Sequence, residues 1–266
     1  NISFLDQHDP EYVLILSGDH IYKMDYEEML NVHKEKGADL TVAVLNVSLK
    51  EASRFGIMNT DDKGYIYEFE EKPEKPKSTL ASMGIYIFNY KELRKYLIAD
   101  AADENSKHDF GMNIIPSMLA DKKKLYAWTF DGYWKDVGTV ESLWQANMDL
   151  LDDKELDLYN IKKDWKIYSE DTLGKPQLIG AQASVKNSLV TQGCVVNGEV
   201  EGSVLFSNVN VGEGAKVIDS VLMPGVLVEE GAVVKKAIID EGVVIKAGTV
   251  VNEEAEEVAL VSGNSR

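Results

Sequence analysis

The first 150 residues alternate between short apolar runs and amphipathic segments. Residues 12–16 are wholly apolar, a pattern typical of a parallel strand buried on both faces. Asp25 followed by Glu28 resembles a capping box, and it predicts a helix that ends at Gly37. Residues 40–45 form a second buried apolar run. Strand, helix and strand in this order and of these lengths predict a βαβ unit.

Further elements of the same kind follow. The pattern predicts strands at residues 65–69, 83–88 and 125–130, and helices at residues 91–98 and 140–151. Thr139 is a suitable N-cap for the last of these helices. The alternation of strands and helices indicates an α/β domain.

After residue 178 the sequence becomes rich in Val, Ile, Leu and Gly, and residues recur in columns. The columns are Ser188, Ser203, Ser220 and Ala237; Val200, Val217, Val234 and Val251; and Val209, Val226 and Val243. A period near 17, built from steps of about six, predicts a coil with three flat sides and a continuous aliphatic core. This pattern resembles the hexapeptide-repeat left-handed β-helix. The alternative is a β-sandwich with coincidental spacing.

The lone cysteine is placed by the same period. Spacing aligns Cys194 with Val211, Val228 and Ile245, so we expect it to replace a core aliphatic residue rather than act as a nucleophile.

These changes of texture divide the chain into three parts. Residues 1–150 form the α/β domain, and residues 179–266 form the β-helix domain. Between them, residues 151–178 are polar and irregular, which indicates a linker.

Composition narrows the class of protein. The 266 residues are 44% hydrophobic and 27% charged, as in a soluble globular chain of two domains, without an apolar run long enough for a transmembrane helix. The net charge of −17 disfavours binding to nucleic acids and membrane surfaces. One cysteine excludes an intramolecular disulfide framework, and no secretion signal is visible at Asn1, so we expect a cytoplasmic protein.

Three charged positions could carry chemistry. Asp19 follows the first apolar run, where a ligand of an open α/β sheet would bind, and Asp136 lies before the helix capped by Thr139. Two such carboxylates suit a divalent cation, although each could equally be a turn or helix-entry acid. Lys72 lies at a strand end beside acids, where it could bind a phosphate or simply belong to a solvated charge cluster.

The order of several short segments carries a stronger signal. The segments are residues 17–22 (SGDHIY), 55–58 (FGIM), 70–73 (EEKP), 81–86 (ASMGIY), 108–111 (HDFG) and 133–139 (YWKDVGT). In this order, and followed by a hexapeptide β-helix, they resemble the sugar-nucleotide pyrophosphorylases. Within that group the chain is most similar to the catalytic type of bacterial glucose-1-phosphate adenylyltransferase, from about residue 12 to the repeats. The implied fold class is α/β: a partial Rossmann-like nucleotidyltransferase domain followed by a left-handed parallel β-helix.

The resemblance also implies a reaction and a site. ATP would transfer its adenylyl group to glucose 1-phosphate, giving ADP-glucose and pyrophosphate for glycogen synthesis, with Mg²⁺ as the cofactor. The implied catalytic residues are Asp19 and Asp136, which would hold Mg²⁺, and Lys72, which would bind the sugar phosphate. The implied substrate-binding residues besides Lys72 are Gly56, Glu71, Ser82 and Trp134: Glu71 for a glucose hydroxyl, Ser82 and the Gly56 backbone lining the sugar pocket, and Trp134 beside the sugar.

One part of the family pattern is missing. The family begins with a Gly-rich loop followed by Thr-Arg-Leu, which holds the nucleotide phosphates, and this sequence has no such segment before Tyr12. We therefore expect the printed sequence to start within the catalytic domain, and the 266-residue chain alone to be inactive.

Other functions compete with this interpretation. A sister enzyme could use dTTP, UTP or GTP, and a regulatory subunit of the same enzyme could have lost catalysis, although Asp19, Lys72 and Asp136 are all present. Hexapeptide helices also occur in acyltransferases, but the sequence has no histidine after His108 to act as a base. The family suggests a homotetramer, or a heterotetramer with a paralogous subunit.

Overall fold

The computed structural model describes residues 1–152, 168 and 174–263, so the predicted linker at 151–178 lies mostly outside the described residues. The helices are α1 (Ile2–His8), α2 (Tyr26–Lys36), α3 (Leu49–Ala52), α4 (Tyr90–Ala101), α5 (Ile115–Ala120), which follows a π-helical turn (Phe110–Ile114), and α6 (Val140–Asp149). Among the described residues, none of the helices is long and apolar enough to cross a lipid bilayer.

The strands fall into two groups. Before residue 152 they are β1 (Tyr12–Ile15), β2 (His20–Tyr22), β3 (Leu40–Asn46), β4 (Gly56–Thr60), β5 (Ile66–Glu71), β6 (Leu80–Asn89), β7 (Leu125–Thr129) and β8 (Trp134–Asp136). After residue 174 they are β9 (Leu178–Ile179), β10 (Ser184–Lys186), β11 (Leu189–Val190), β12 (Val195–Val196), β13 (Glu199–Glu201), β14 (Val204–Leu205), β15 (Asn210–Val211), β16 (Lys216–Ile218), β17 (Val221–Leu222), β18 (Leu227–Val228), β19 (Val233–Lys235), β20 (Ala237–Ile239), β21 (Val244–Ile245), β22 (Val250–Val251) and β23 (Ala259–Val261).

The chain forms two compact units. Unit 1 consists of Asn1–Gly18 and Tyr22–Gly132, and unit 2 consists of Asp19–Ile21 and Tyr133–Arg266. Strand β8 and helix α6 therefore belong to the same unit as the repeats. The domain limits at residues 150 and 179 stay a prediction.

A mixed sheet forms the centre of unit 1. Its strand order is β5-β4-β6-β3-β7, and β1 also pairs with β6. The long strand β6 runs antiparallel to β1, β3 and β4, whereas β7 runs parallel to β3. The side chains of β3 are buried from Leu40 to Val44, as its apolar sequence predicts.

The predicted βαβ unit is present, with β6 inserted between its two strands. Tyr86 of β6 pairs with both Ile15 of β1 and Val42 of β3, so β1 and β3 lie on opposite edges of β6 and run parallel to each other. The prediction of a parallel neighbour and of complete burial for residues 12–16 is wrong. The partner is antiparallel, and Leu14 and Leu16 are exposed, because an apolar run specifies neither the direction of its neighbour nor its position in a sheet.

The helix caps follow the sequence closely. The Asp25 carboxylate accepts a hydrogen bond from the Glu27 amide at the start of α2, and Gly37 ends that helix with a φ of 56°. Thr139 caps α6 by accepting from the Ser142 amide at 3.1 Å. These contacts supply partners for backbone groups that a helix end leaves unpaired.

The repeats of unit 2 form a three-sided parallel β-helix. Its sides are three five-stranded sheets with the orders β10-β13-β16-β19-β22, β11-β14-β17-β20-β23 and β9-β12-β15-β18-β21. All of the pairings within these sheets are parallel. The valine column Val200, Val217, Val234 and Val251 lies in register across one side, as predicted.

The register corrects the predicted alignment of Cys194. Val196, not Cys194, pairs with Val211 and so continues the column through Val228 and Ile245. The first offset is 15 residues and the later ones are 17, so a uniform offset of 17 misplaces the cysteine. Its inference as a core residue is confirmed, because Cys194 is fully buried in the aliphatic core. Burial also raises the pKa of its thiol.

Buried serine hydroxyls connect successive coils. The hydroxyl of Ser203 donates to the Glu201 carbonyl of its own coil at 2.8 Å and accepts from the Ser220 amide at 3.0 Å. Ser188 and Ser220 repeat this arrangement with their own neighbours, so we call Ser188, Ser203 and Ser220 the serine ladder. The ladder supplies partners for backbone groups at a corner where the strands are interrupted.

Candidate functional site

An acidic pair lies beside the two-stranded sheet of unit 2. Strand β2 pairs with β8, and the Val137 amide donates to the Asp19 carbonyl at 3.0 Å. A Cβ atom built on Gly138 would lie 3.0 Å from Asp136 Oδ1 and 3.6 Å from Asp19 Oδ2. Asp19 and Asp136, far apart in sequence, therefore bring their carboxylates to the same glycine. We call these two residues the acidic pair.

The acidic pair fits a hard divalent cation. Its two carboxylates offer oxygen donors, and the Asp19 side chain is 60% exposed, which leaves it accessible to a ligand. Within residues 1–152, 168 and 174–263 there is no group of three or more His, Cys, Asp or Glu side chains arranged to hold a metal. A pair of carboxylates suits Mg²⁺, which proteins commonly hold through one or two carboxylates together with substrate phosphates.

Aromatic side chains flank the acidic pair. The Trp134 ring meets the His20 ring edge-on, with centroids 5.0 Å apart. His20 Nε2 lies 3.6 Å from Asp19 Oδ1. Trp134, the predicted neighbour of the sugar, is thus in the same cluster as both predicted metal ligands.

A second cluster lies in unit 1, at the facing ends of β4 and β5. Gly56 pairs with Glu71, and a Cβ atom on Gly56 would lie 2.9 Å from Glu71 Oε2. A Cβ atom on Gly111 would lie 2.7 Å from the same oxygen and 3.3 Å from Asp109 Oδ1. Two glycines therefore make room for the carboxylate. We call Gly56, Glu71, Asp109 and Gly111 the Glu71 pocket.

The environment of Glu71 alters its acidity. Burial raises the pKa of its carboxyl group, the Lys72 ammonium partly opposes that shift, and the Asp109 carboxylate adds to it. A carboxylate that is short of partners in this way is suited to accept a hydroxyl hydrogen bond from a ligand.

Lys72 extends beyond the end of β5 with an unusual backbone. Its φ is 47°, and its amide donates to the Phe55 carbonyl at 3.1 Å, which continues the β4–β5 pairing. The ammonium lies 3.9 Å from Glu71 Oε1 and its side chain is 65% exposed. This leaves a positive charge available to an anion beside the Glu71 pocket.

Ser82 lies on an irregular part of β6. Met83, Gly84 and Ile85 stand opposite Ala43 alone, and Gly84 has a φ of 67°. The Ser82 hydroxyl accepts from the Gly84 amide at 3.2 Å and lies 3.4 Å from the Tyr86 hydroxyl. Such bulges redirect side chains next to sites.

Two members of this cluster have no role in the sequence interpretation. Asp109 caps the π-helical turn by accepting from the Met112 amide at 2.8 Å, and Tyr86 is buried beside Phe110 with ring centroids 5.6 Å apart. Burial raises the pKa of the Tyr86 phenol, so it stays a hydrogen-bond donor at neutral pH. Both lie inside quoted motifs, at residues 81–86 and 108–111, but only the folded sheet brings them towards Glu71.

The predicted site residues are therefore found in two clusters, each within its own unit. Gly56, Glu71 and Lys72 are in contact at one end of the unit 1 sheet, with Ser82 joined to the group through Tyr86. Asp19, Trp134 and Asp136 are together in unit 2.

Comparison with known protein families identifies the first part of the chain. Residues 1–153, more than half of its length, match the family model described as nucleotidyl transferase. The chain belongs to the nucleotidyl transferase family. Residues 177–260 of this nucleotidyl transferase match the model described as GlmU-like, C-terminal hexapeptide. Together the two matches confirm the predicted fold class, a nucleotidyltransferase domain followed by a left-handed hexapeptide β-helix.

Curated relatives of this nucleotidyl transferase share a printed name. Glucose-1-phosphate adenylyltransferases of Clostridium beijerinckii and of Clostridium perfringens strain 13 are 61% and 62% identical to it over 220 residues. One from Fusobacterium nucleatum is 56% identical over 220 residues. These alignments cover 82% of the chain but 56% to 57% of each relative, so the chain spans little more than half of their length. The predicted family resemblance is confirmed.

Proposed function

We propose that the intact protein transfers the adenylyl group of ATP to α-D-glucose 1-phosphate, giving ADP-glucose and pyrophosphate for glycogen or α-glucan synthesis. The observation that carries this proposal is the acidic pair at Gly138, in a nucleotidyl transferase whose relatives are named glucose-1-phosphate adenylyltransferases. The reaction joins a phosphate oxygen of the sugar phosphate to the α-phosphorus of ATP. The bond from that phosphorus to the bridging oxygen of the β-phosphate breaks, and pyrophosphate leaves with the electron pair.

The residues have separate tasks in this proposal. Asp19 and Asp136 would hold Mg²⁺, which when bound neutralises phosphate charge. The exposed ammonium of Lys72 binds the sugar phosphate. Glu71, with a pKa raised mainly by burial, accepts a hydrogen bond from a glucose hydroxyl once it is ionised.

The pocket walls orient the sugar. Gly56 and Gly111 leave space beside Glu71 that a methyl group would fill. Ser82 offers its hydroxyl at the same end of the sheet, and Trp134 supplies an aromatic face beside the acidic pair. Such a reaction needs positioning and charge neutralisation more than a covalent nucleophile.

Pyrophosphate release by the complete gene product tests this function. ATP, UTP, dTTP and GTP are supplied separately with glucose 1-phosphate and Mg²⁺. Release with ATP alone, lost in Asp19→Asn but kept in Asp62→Asn at an exposed turn, is the expected result. Release with another nucleotide would identify a sister enzyme with the same site.

A regulatory subunit is the second candidate. Silence with all four nucleotides would favour it, because a paralogous subunit would then supply catalysis. We further propose a cytoplasmic homotetramer, or a heterotetramer with such a paralogue, which light scattering coupled to gel filtration would measure. The inactivity of the isolated 266-residue chain stays a prediction.

A further inference from the structure

Strand β8 presents different side chains to its two faces. The Tyr133 hydroxyl donates to Asp149 Oδ2 at 2.7 Å, and the Lys135 ammonium forms a very short ion pair with the same oxygen. Because side chains alternate along a strand, Trp134 and Asp136 point to the opposite face. One face of β8 therefore contacts Asp149, and the other carries a member of the acidic pair.

The Asp149 carboxylate is held firmly. It is 11% exposed, and its second oxygen accepts from Gln145 Nε2 of the same helix at 2.8 Å. Charge-assisted hydrogen bonds of this kind are stronger than those between neutral groups. Asp149 thus fixes the side chains on either side of Trp134 while satisfying its own acceptors.

Helix α6, which ends at Asp149, is itself anchored. Trp144 Nε1 donates to the Asp219 carbonyl of the β-helix at 2.7 Å. The Lys236 ammonium lies 5.4 Å from the centroid of the Trp144 ring, a distance typical of a cation–π contact. Asp149 therefore contacts β8 from a helix that is packed against the β-helix.

We propose that Asp149 is a positioning residue for the acidic pair: by binding Tyr133 and Lys135 on one face of β8, it sets the placement of Asp136 on the other. This inference rests on the proposed function only in assigning a cation to that pair. Ligand groups must be held to within about 0.5 Å of their working geometry, which requires supporting contacts of this kind.

Binding of Mn²⁺ tests the proposal without catalysis. The free Mn²⁺ signal is measured by electron paramagnetic resonance in titrations of the complete gene product. We expect Asp149→Asn to weaken the binding that depends on Asp19 by about tenfold, as loss of an outer contact commonly does. Glu141→Gln, which removes an exposed carboxylate from the first turn of the same helix, should leave binding unchanged.

A second variant shows whether Asp149 acts through β8. Lys135→Met removes the partner of Asp149 on the strand, so it should weaken Mn²⁺ binding as well. If both residues act through one contact, the double variant should bind Mn²⁺ no worse than the weaker single variant. Equal losses that multiply in the double variant would overturn the proposed route.

The outcomes also separate this proposal from the function. Folded Asp149→Asn protein that binds Mn²⁺ like the wild type, including no Asp19-dependent binding in either, overturns it. If Asp149→Asn does not fold, Tyr133→Phe removes only one hydroxyl, and unchanged binding in both Tyr133→Phe and Lys135→Met overturns it. Absence of pyrophosphate release by wild-type protein would instead overturn the proposed function while leaving the Mn²⁺ comparison valid.

Discussion

The Oε2 atom of Glu71 lies 2.7 Å from the point that a Cβ atom of Gly111 would occupy. No real Cβ contact is so short, so any side chain at residue 111 must displace the carboxylate. The neighbouring Gly56 approaches the same oxygen at 2.9 Å. Glu71 is thus confined between two backbone segments that are 55 residues apart in the sequence.

We predict that Gly111→Ala selectively impairs binding of the sugar phosphate. The added methyl group should push Glu71 from its position and raise the KM for glucose 1-phosphate about tenfold, the effect of losing roughly one hydrogen bond to a charged group. The KM for ATP should change little. Gly263→Ala is the matched control, since its new Cβ atom would make only an ordinary contact of 3.9 Å with Val243. Equal KM values for glucose 1-phosphate in Gly111→Ala and wild type would contradict the assignment.

Removal of the exposed cation beside Glu71 should have a larger effect. Lys72→Met should raise the KM for glucose 1-phosphate by about ten- to a hundredfold, because a charge-assisted hydrogen bond contributes about 1.5–3 kcal/mol. Initial rates at varied sugar phosphate measure this. Lys75→Met removes another exposed charge from the same segment and should leave the KM unchanged. A similar rise in both variants would indicate a general charge effect instead.

The buried histidine of unit 1 predicts a dependence of stability on pH. His33 is 1% exposed; burial lowers its pKa below 6.5, the Asn89 hydrogen bond and Asp39 oppose this shift, and Lys34 adds to it. Asn89 donates its amide to the Ala38 carbonyl, so its oxygen accepts from a neutral His33. Below pH 6.5 the unfolded chain then binds the proton more readily than the folded chain.

The free energy of unfolding should therefore fall as the pH falls through 6.5 towards the lower pKa of folded His33. Chemical denaturation at a series of pH values measures this loss, and NMR titration of the histidine rings measures the pKa itself. His33→Gln should flatten the pH dependence in this window, whereas His8→Gln, at an exposed position, should not. A His33 ring that titrates near 6.5 would refute the prediction.

The serine ladder predicts a local cost in the β-helix. Ser203→Ala removes the acceptor of the Ser220 amide and leaves that buried N–H unpaired, a loss of about 1–3 kcal/mol. Thermal unfolding followed by circular dichroism should show a lower Tm. Ser207→Ala, in the same coil but outside the ladder, should cause a much smaller change. Equal shifts in the two variants would show that the ladder contributes little.

The sequence predicted those features that depend on local repetition. The period near 17 identified the three-sided coil, and cap residues such as Asp25, Gly37 and Thr139 located the ends of α2 and α6. The alignment of Cys194 failed because one coil is 15 residues long rather than 17. A period read from later turns does not reveal a shorter first turn.

Long-range pairing explains the remaining differences. The run at residues 12–16 could not show that its partner, β6, is antiparallel and arrives some 70 residues later. The motifs predicted Glu71 and Gly56, but Asp109 and Tyr86 join Glu71 only through the register of the sheet and the π-helical turn. Likewise, the link from Asp149 to Lys135 depends on strand alternation and not on any motif.

The partition of the chain has a consequence for recombination between relatives. A crossover after Gly132 would transfer β8, α6 and the β-helix as one block, so Lys135 would stay with Asp149, and Trp144 with the Asp219 carbonyl. A crossover near residue 150 would instead combine α6 of one parent with a corner of the other parent's solenoid. Chimeras of the first kind inherit a matched interface, and those of the second kind must rebuild it.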